Sequence, residues 1–230
     1  MRYGIIAEGI ADVYVIRNIL KYLLKVDSTD IFSIRPTEIF DETDVLKMRF
    51  SNWELVMRTC ADTDVLSAFF DSFEEEGIII VQIDTAERGE TNYNIPLPIR
   101  TKDTDWMTYS ETLRQAVKAK LETFIPSQYR YKMVYAVAIR ETDAWLIPIF
   151  CKSDNDTSSL ANPKERLQAT IGSLGNKKKK FINTNKRHLD YQEIAKQFKR
   201  TLPDCRKANR SLDLFCTDLE SISTKTNDQN

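Results

Sequence analysis

At 230 residues, with 42% apolar and 29% charged residues, the chain has material for one large domain or for a catalytic core with a smaller appended piece. No apolar run approaches the ~18 residues needed to cross a bilayer, and the opening Arg2-Tyr3-Gly4-Ile5-Ile6-Ala7 has no charged-then-apolar secretory pattern, so the expectation is a cytoplasmic protein with no membrane contact. Cysteines at 60, 151, 205 and 216 form no CxxC pair and His188 is the single histidine, which argues against thiolate zinc sites and against histidine-based triads.

The formal net charge of −1 conceals an asymmetry. Residues 1–112 carry 11 Lys and Arg against 21 Asp and Glu, a balance of −10, whereas residues 113–230 carry 22 against 13, a balance of +9. An acidic half beside a basic half suits a cation site facing a polyanion-binding surface, and equally suits two solvated faces with no ligand.

In chain order, Ile5-Ile6-Ala7 predicts a short strand, stopped at Glu8-Gly9. A helix follows over Ala11–Val26, with Val13, Ile16, Ile19, Leu20, Leu23 and Leu24 at helical spacing. Ile31–Ile34 reads as a second strand ended by Arg35-Pro36, and the polar stretch Thr37–Arg49 as loop or insertion. Short helices are expected over Asn52–Arg58 and Asp64–Glu76. Gly77–Asp84 is the clearest strand, a nearly unbroken β-branched run of the kind buried in the middle of a parallel sheet. A long polar loop (Thr85–Asp105), a helix (Met107–Phe124) and a strand (Lys132–Ile139) come next. From Cys151 the strand pattern gives way to basic helices over Pro163–Ile171, Leu189–Arg200 and Ala208–Ile222, and 223–230 reads as a frayed tail.

The chemistry lies in where the carboxylates fall. Glu8, Asp84 and Glu141 each stand at or just past the C-terminal end of a predicted strand, the edge where open parallel sheets bind ligands. Asp12 follows Glu8 by one helical turn, and Asp143 follows Glu141 by two residues. Carboxylates gathered in this way call for a cation, and Mg²⁺, with its preference for carboxylate, water and phosphate oxygens, fits. Each acid also has a structural alternative: Asp12 can serve the dipole of its own helix, and Glu141 and Asp143 can begin and cap the helix containing Trp145.

With these residues assembled, the chain resembles the TOPRIM family. Ile5-Ile6-Ala7-Glu8-Gly9-Ile10-Ala11-Asp12 is similar to the first TOPRIM motif, in the Glu-x-x-x-Asp form of OLD-like nucleases. Ile79-Ile80-Val81-Gln82-Ile83-Asp84 resembles the second motif. Ala138–Leu146 resembles the acidic Ala-Trp segment of small stand-alone TOPRIM-like proteins of prokaryotic defence. The resemblance implies an α/β fold with an open, mainly parallel sheet flanked by helices. Residues 1–150 would form the catalytic core with an insertion at about 37–62, followed by a helical basic C-terminal extension over 151–222. It implies a nuclease using Mg²⁺ or Mn²⁺, with Glu8, Asp84 and Glu141 catalytic and Glu8, Asp12, Asp84, Glu87 and Asp143 as metal ligands. The second motif departs from the family's Asp-x-Asp: Ala86 replaces its second aspartate, so Glu87 supplies the ligand, or a second metal binds weakly, or activity is lost.

Residues 164–210 carry 14 Lys and Arg against 4 Asp and Glu. Lys177, Lys178, Lys179, Lys180, Lys186 and Arg187 are the candidate phosphate contacts of a DNA or RNA surface that reads no sequence. A solvated helical face is the alternative. The resemblance further implies an ATPase partner restraining an anti-phage effector, with a homodimer left open. A catalytically inactive TOPRIM-like subunit of such a complex is the second reading. A nucleotide hydrolase or phosphatase is a third, although no Walker-type glycine loop occurs among the six glycines.

Overall fold

The computed structural model describes residues 1–36, 52–72, 76–89, 93–96, 98, 101, 103–152, 156–183 and 188–227. The stretch expected as loop or insertion, 37–49, lies wholly outside these residues, as do Lys186 and Arg187.

Four strands, β1 (Arg2–Ile6), β2 (Ile31–Arg35), β3 (Gly77–Asp84) and β4 (Met133–Ala138), form an open sheet in the order β2-β1-β3-β4, and every pairing in it is parallel. β3 lies between β1 and β4 and is buried up to its last residue, as its continuous apolar run predicts. Strand alternation sends Ile78 and Ile80 to one face and Ile79, Val81 and Ile83 to the other. α1 (Ile10–Leu23) links β1 to β2 across the first face, with Val13, Ile16, Ile19 and Leu20 inward. α2 (Asn52–Ala61) and α3 (Thr63–Asp71) link β2 to β3, and α4 (Trp106–Glu122) links β3 to β4, all on the second face. The split follows from handedness. β1 to β2 steps one way along the sheet and the later crossovers step the other, so right-handed connections must occupy opposite faces.

That arrangement leaves one crossover helix to cover the first face. The C-terminal half covers the rest with α5 (Asp143–Leu146), α6 (Pro163–Gly172), α7 (Tyr191–Ala195), α8 (Phe198–Ala208) and α9 (Arg210–Asn227). Leu167, Ile171, Phe181, Ile194, Phe198, Leu202, Phe215 and Leu219 share one buried cluster with Ile5, Val13 and Ile80. The basic extension is therefore one layer of the core. A buried polar chain fastens it: Trp145 Nε1 donates to Ser211 Oγ (2.8 Å), Ser211 to Asn209 Oδ1 (2.8 Å), Asn209 Nδ2 to Thr157 Oγ1 (2.9 Å), and Thr157 to the Ala144 carbonyl (2.8 Å).

Several local expectations shift. The helix expected over 189–200 is interrupted: β6 (His188–Leu189) pairs antiparallel with β5 (Ile182–Asn183), Asp190 then caps α7, and α8 begins separately. α9 runs to Asn227, well into the 223–230 segment expected as frayed, because no glycine or proline follows Pro203 to stop it. Cys60, Cys205 and Cys216 are buried, and burial pushes each thiol up to about 12, in keeping with small apolar residues. Among the described residues, no helix is long and apolar enough to cross a membrane.

Candidate active site

The direction of the strand connections reverses between β1 and β3, so a crevice opens at the C-terminal ends of these two strands. Glu8 stands two residues past β1, and Asp84 is the last residue of β3. The two are joined directly: the Asp84 backbone N–H donates to Glu8 Oε1 at 2.6 Å.

Gln82 holds this junction together. Its side chain is fully buried, on the same face of β3 as Ile80 and Asp84. Its Oε1 accepts the Glu8 backbone N–H (3.0 Å), while its Nε2 donates to Asp84 Oδ1 (2.9 Å) and to Thr142 Oγ1 (3.0 Å). Thr142 adds two donors to Asp84 Oδ1, from its backbone N–H (3.2 Å) and its hydroxyl (3.1 Å). All three hydrogen bonds to the Asp84 carboxylate fall on Oδ1, which orients it and leaves Oδ2 to other partners. Replacing Gln82 with Leu strands a buried N–H and loosens two acceptors. An isosteric apolar group there is expected to cost roughly 2–3 kcal/mol, measured by urea unfolding. A loss below about 0.5 kcal/mol would mean that water replaces the amide without penalty.

Asp12 occupies the first turn of α1, where its Oδ2 accepts the Gly9 N–H at 3.0 Å. This is half of a capping box, since Gly9 has no side chain to return the bond. The same carboxylate also faces Thr142 and Asp143. Cap and rim positions coincide. The Thr142 hydroxyl has one proton and two carboxylates, Asp12 and Asp84, within reach of it.

Asp143 opens α5 with 9% of its surface exposed, and the Tyr191 hydroxyl donates to its Oδ1 at 2.7 Å. Glu141 Oε2 accepts the Lys164 backbone N–H (3.2 Å) at the start of α6, while its charge still reaches Asp143. Glu87 is exposed and adds negative charge near Glu8, which Arg35 opposes. Behind these residues the ends of β3 and β4 are clamped by Thr85 N–H to the Ala138 carbonyl (3.0 Å), Arg140 N–H to Thr85 Oγ1 (2.7 Å) and Ala86 N–H to the Arg140 carbonyl (3.0 Å). Arg140 is held there at φ 69°, a left-handed conformation that costs a side-chain-bearing residue on the order of 1–3 kcal/mol. Tyr93 closes the site from the long loop, its hydroxyl donating to the Asp84 carbonyl (3.0 Å) and its ring stacked on Trp53.

Four carboxylates from three chain segments (8–12, Asp84 and Asp143) thus act on one another, and each is driven toward its protonated form. Burial, with the charges of Asp12 and Glu87, pushes Glu8 up to about 8 against the pull of the Asp84 N–H. Burial and Asp143 raise Asp12 to about 6. Asp84 is raised well above the usual carboxylate range by burial and then by Asp12 and Glu8, and Asp143 is raised by burial and Glu141. Repulsion among buried carboxylates is what a cation relieves. Among the described residues, no three His, Cys, Asp or Glu side chains stand in a complete metal-holding arrangement. Mg²⁺ ordinarily needs only one or two protein carboxylates, with water and substrate phosphates completing its shell. The oxygen-only donor set of Glu8, Asp12, Asp84 and Asp143 fits that requirement.

Comparison with protein-family models, with curated proteins and with solved structures gives no match. Among the residues singled out by sequence, Glu8, Asp12, Asp84 and Asp143 are brought together, and Glu141 and Glu87 lie at the margin. Lys177, Lys178, Lys179 and Lys180 are exposed on the 3₁₀ turn Gly175–Lys180, beyond α6 from Glu141. In the chain, α6, ten residues and so about 15 Å long, lies between Glu141 and that turn. Sequence reasoning missed Gln82, Thr142, Tyr93 and Tyr191. Only Gln82 left a signal, as the one polar residue inside an apolar central strand.

Proposed function

We propose that this protein is a divalent-cation-dependent phosphodiesterase acting on DNA or RNA, a small nuclease of TOPRIM type. The observation that carries the proposal is the group of half-buried to buried carboxylates, Glu8, Asp12, Asp84 and Asp143, at the switch point of a parallel sheet. Glu8, Asp12, Asp84 and Asp143 would hold Mg²⁺ or Mn²⁺, with Glu87 available from the rim. When bound, the cation supplies charge stabilisation for the attacking and leaving oxygens of an in-line displacement.

The chain's own groups divide the remaining work. With its carboxyl pushed up to about 8, Glu8 can take a proton from water or return one to the leaving oxygen near neutral pH. Asp84, held through Oδ1 by Gln82 and Thr142, presents its other oxygen in one orientation. The lysines of the 175–180 turn would neutralise substrate phosphates, which makes binding steeply salt-dependent.

The decisive test uses the full chain with supercoiled plasmid and, separately, tRNA, in the presence of Mg²⁺ or Mn²⁺. Strand scission stopped by a chelator is expected. Phosphate release from nucleotides with strands intact would replace the nuclease with a nucleotide hydrolase. A second reading, an inactive TOPRIM-like subunit of a defence complex, draws on Ala86, which puts no carboxylate at the position where the family's second motif has one. An unrestrained nuclease damages its own cell, which favours an ATPase partner and a role in anti-phage defence. Absence of cleavage with that partner present would favour the inactive subunit.

A further inference from the structure

The C-terminal extension reaches the carboxylate site at one point. Tyr191 is the first residue of α7, and its hydroxyl is 2.7 Å from Asp143 Oδ1. Asp190 caps α7 by accepting the Glu193 N–H (3.0 Å), and α7 packs against α1, the helix that carries Asp12. The backbone N–H of Asp190 also donates to the Phe181 carbonyl (2.8 Å), and Phe181 immediately follows the lysine turn. One short segment therefore ties the basic surface, α1 and Asp143 together.

The geometry assigns Tyr191 as a positioning residue: its hydroxyl fixes the Asp143 carboxylate through Oδ1, in the orientation in which that carboxylate would help to hold the divalent cation. The assignment rests on the metal-dependent reading above. In a crevice crowded with acceptors, a neutral O–H donor can hold a carboxylate without neutralising its charge, and a lysine there could not. A purely structural role for Tyr191 would be confined to anchoring α7. A positioning role acts through Asp143 and must be visible in metal binding.

Mn²⁺ is titrated by calorimetry into the full chain, into Tyr191→Phe, into Asp143→Asn and into the double variant, with the thermal midpoint of each recorded under chelator. Phe keeps the ring, so packing is preserved. Partners that orient a metal ligand typically contribute about 10–100-fold in affinity. The expected result is a loss of about 10-fold for Tyr191→Phe and no further loss when it is added to Asp143→Asn, because both act on one oxygen set. Addition of Mn²⁺ should also perturb the near-ultraviolet tyrosine absorption of the wild type more than that of Tyr191→Phe, in which Tyr93 remains bonded at the site. Equal affinity of Tyr191→Phe and wild type, or additive losses in the double variant, would overturn the positioning role and leave the metal site standing. A wild-type chain that binds no Mn²⁺ would overturn both.

Discussion

Glu8→Gln is expected to stabilise the metal-free protein while abolishing cleavage. Glutamine keeps an oxygen to accept the Asp84 N–H, so the junction between β1 and β3 survives. What disappears is a carboxyl that burial, Asp12 and Glu87 together push from its ordinary 4.5 to about 8. At pH 8 the folded wild type carries an ionisation penalty that glutamine lacks, and the variant should gain on the order of 3 kcal/mol. Cleavage should fall by about 10²–10⁴-fold, the usual contribution of a positioned general acid or base, and further if metal is also lost. Urea unfolding under chelator and a plasmid assay with Mn²⁺ measure the two halves. A variant that still cuts removes Glu8 from the chemistry. One that cuts poorly and is also less stable points to damage at the strand junction.

The second large effect is a dependence of stability on pH that added metal offsets. Glu8, Asp12, Asp84 and Asp143 all have folded-state pKa values above their ordinary ones. For a raised acid the folded chain binds more protons than the unfolded chain between the two values, so stability is lost as pH rises through that window. The window opens near pH 4 and extends to about 8 for Glu8 and about 6 for Asp12. Under chelator the thermal midpoint should fall from pH 5 to pH 8, over a range of several kcal/mol. Asp27 and Asp105 cap helix ends with lowered pKa values and act below this range, so they do not mask it. Mg²⁺ or Mn²⁺ binds the deprotonated forms and should restore more stability at pH 8 than at pH 5. A midpoint independent of both pH and metal would mean that the four carboxylates do not share one site.

The strands and most helices were legible because their signals are local. Gly77–Asp84 announces a buried central strand through eight neighbouring residues, and α1 through a spacing of three and four. Asp12 looked like either a helix cap or a site residue; its carboxylate accepts the Gly9 N–H and also faces Thr142 and Asp143. For Glu141 two roles were open, and the structure adds a further one, accepting a backbone N–H from α6 across 23 residues of chain. Illegible were the donors that organise the acids. Gln82 meets Glu8 across 74 residues of chain, and Tyr191 meets Asp143 across 48, separations over which no periodicity carries information.

Sequence by itself determined that acidic side chains end the strands of a parallel α/β sheet and that positive charge collects in the second half, because alternation and composition are properties of neighbouring residues. Tertiary structure alone decided which acids share the crevice and that the basic half is a layer of the core. Strand order reverses direction at β1 and β3, and right-handed crossovers then leave one face to be covered by whatever follows in the chain.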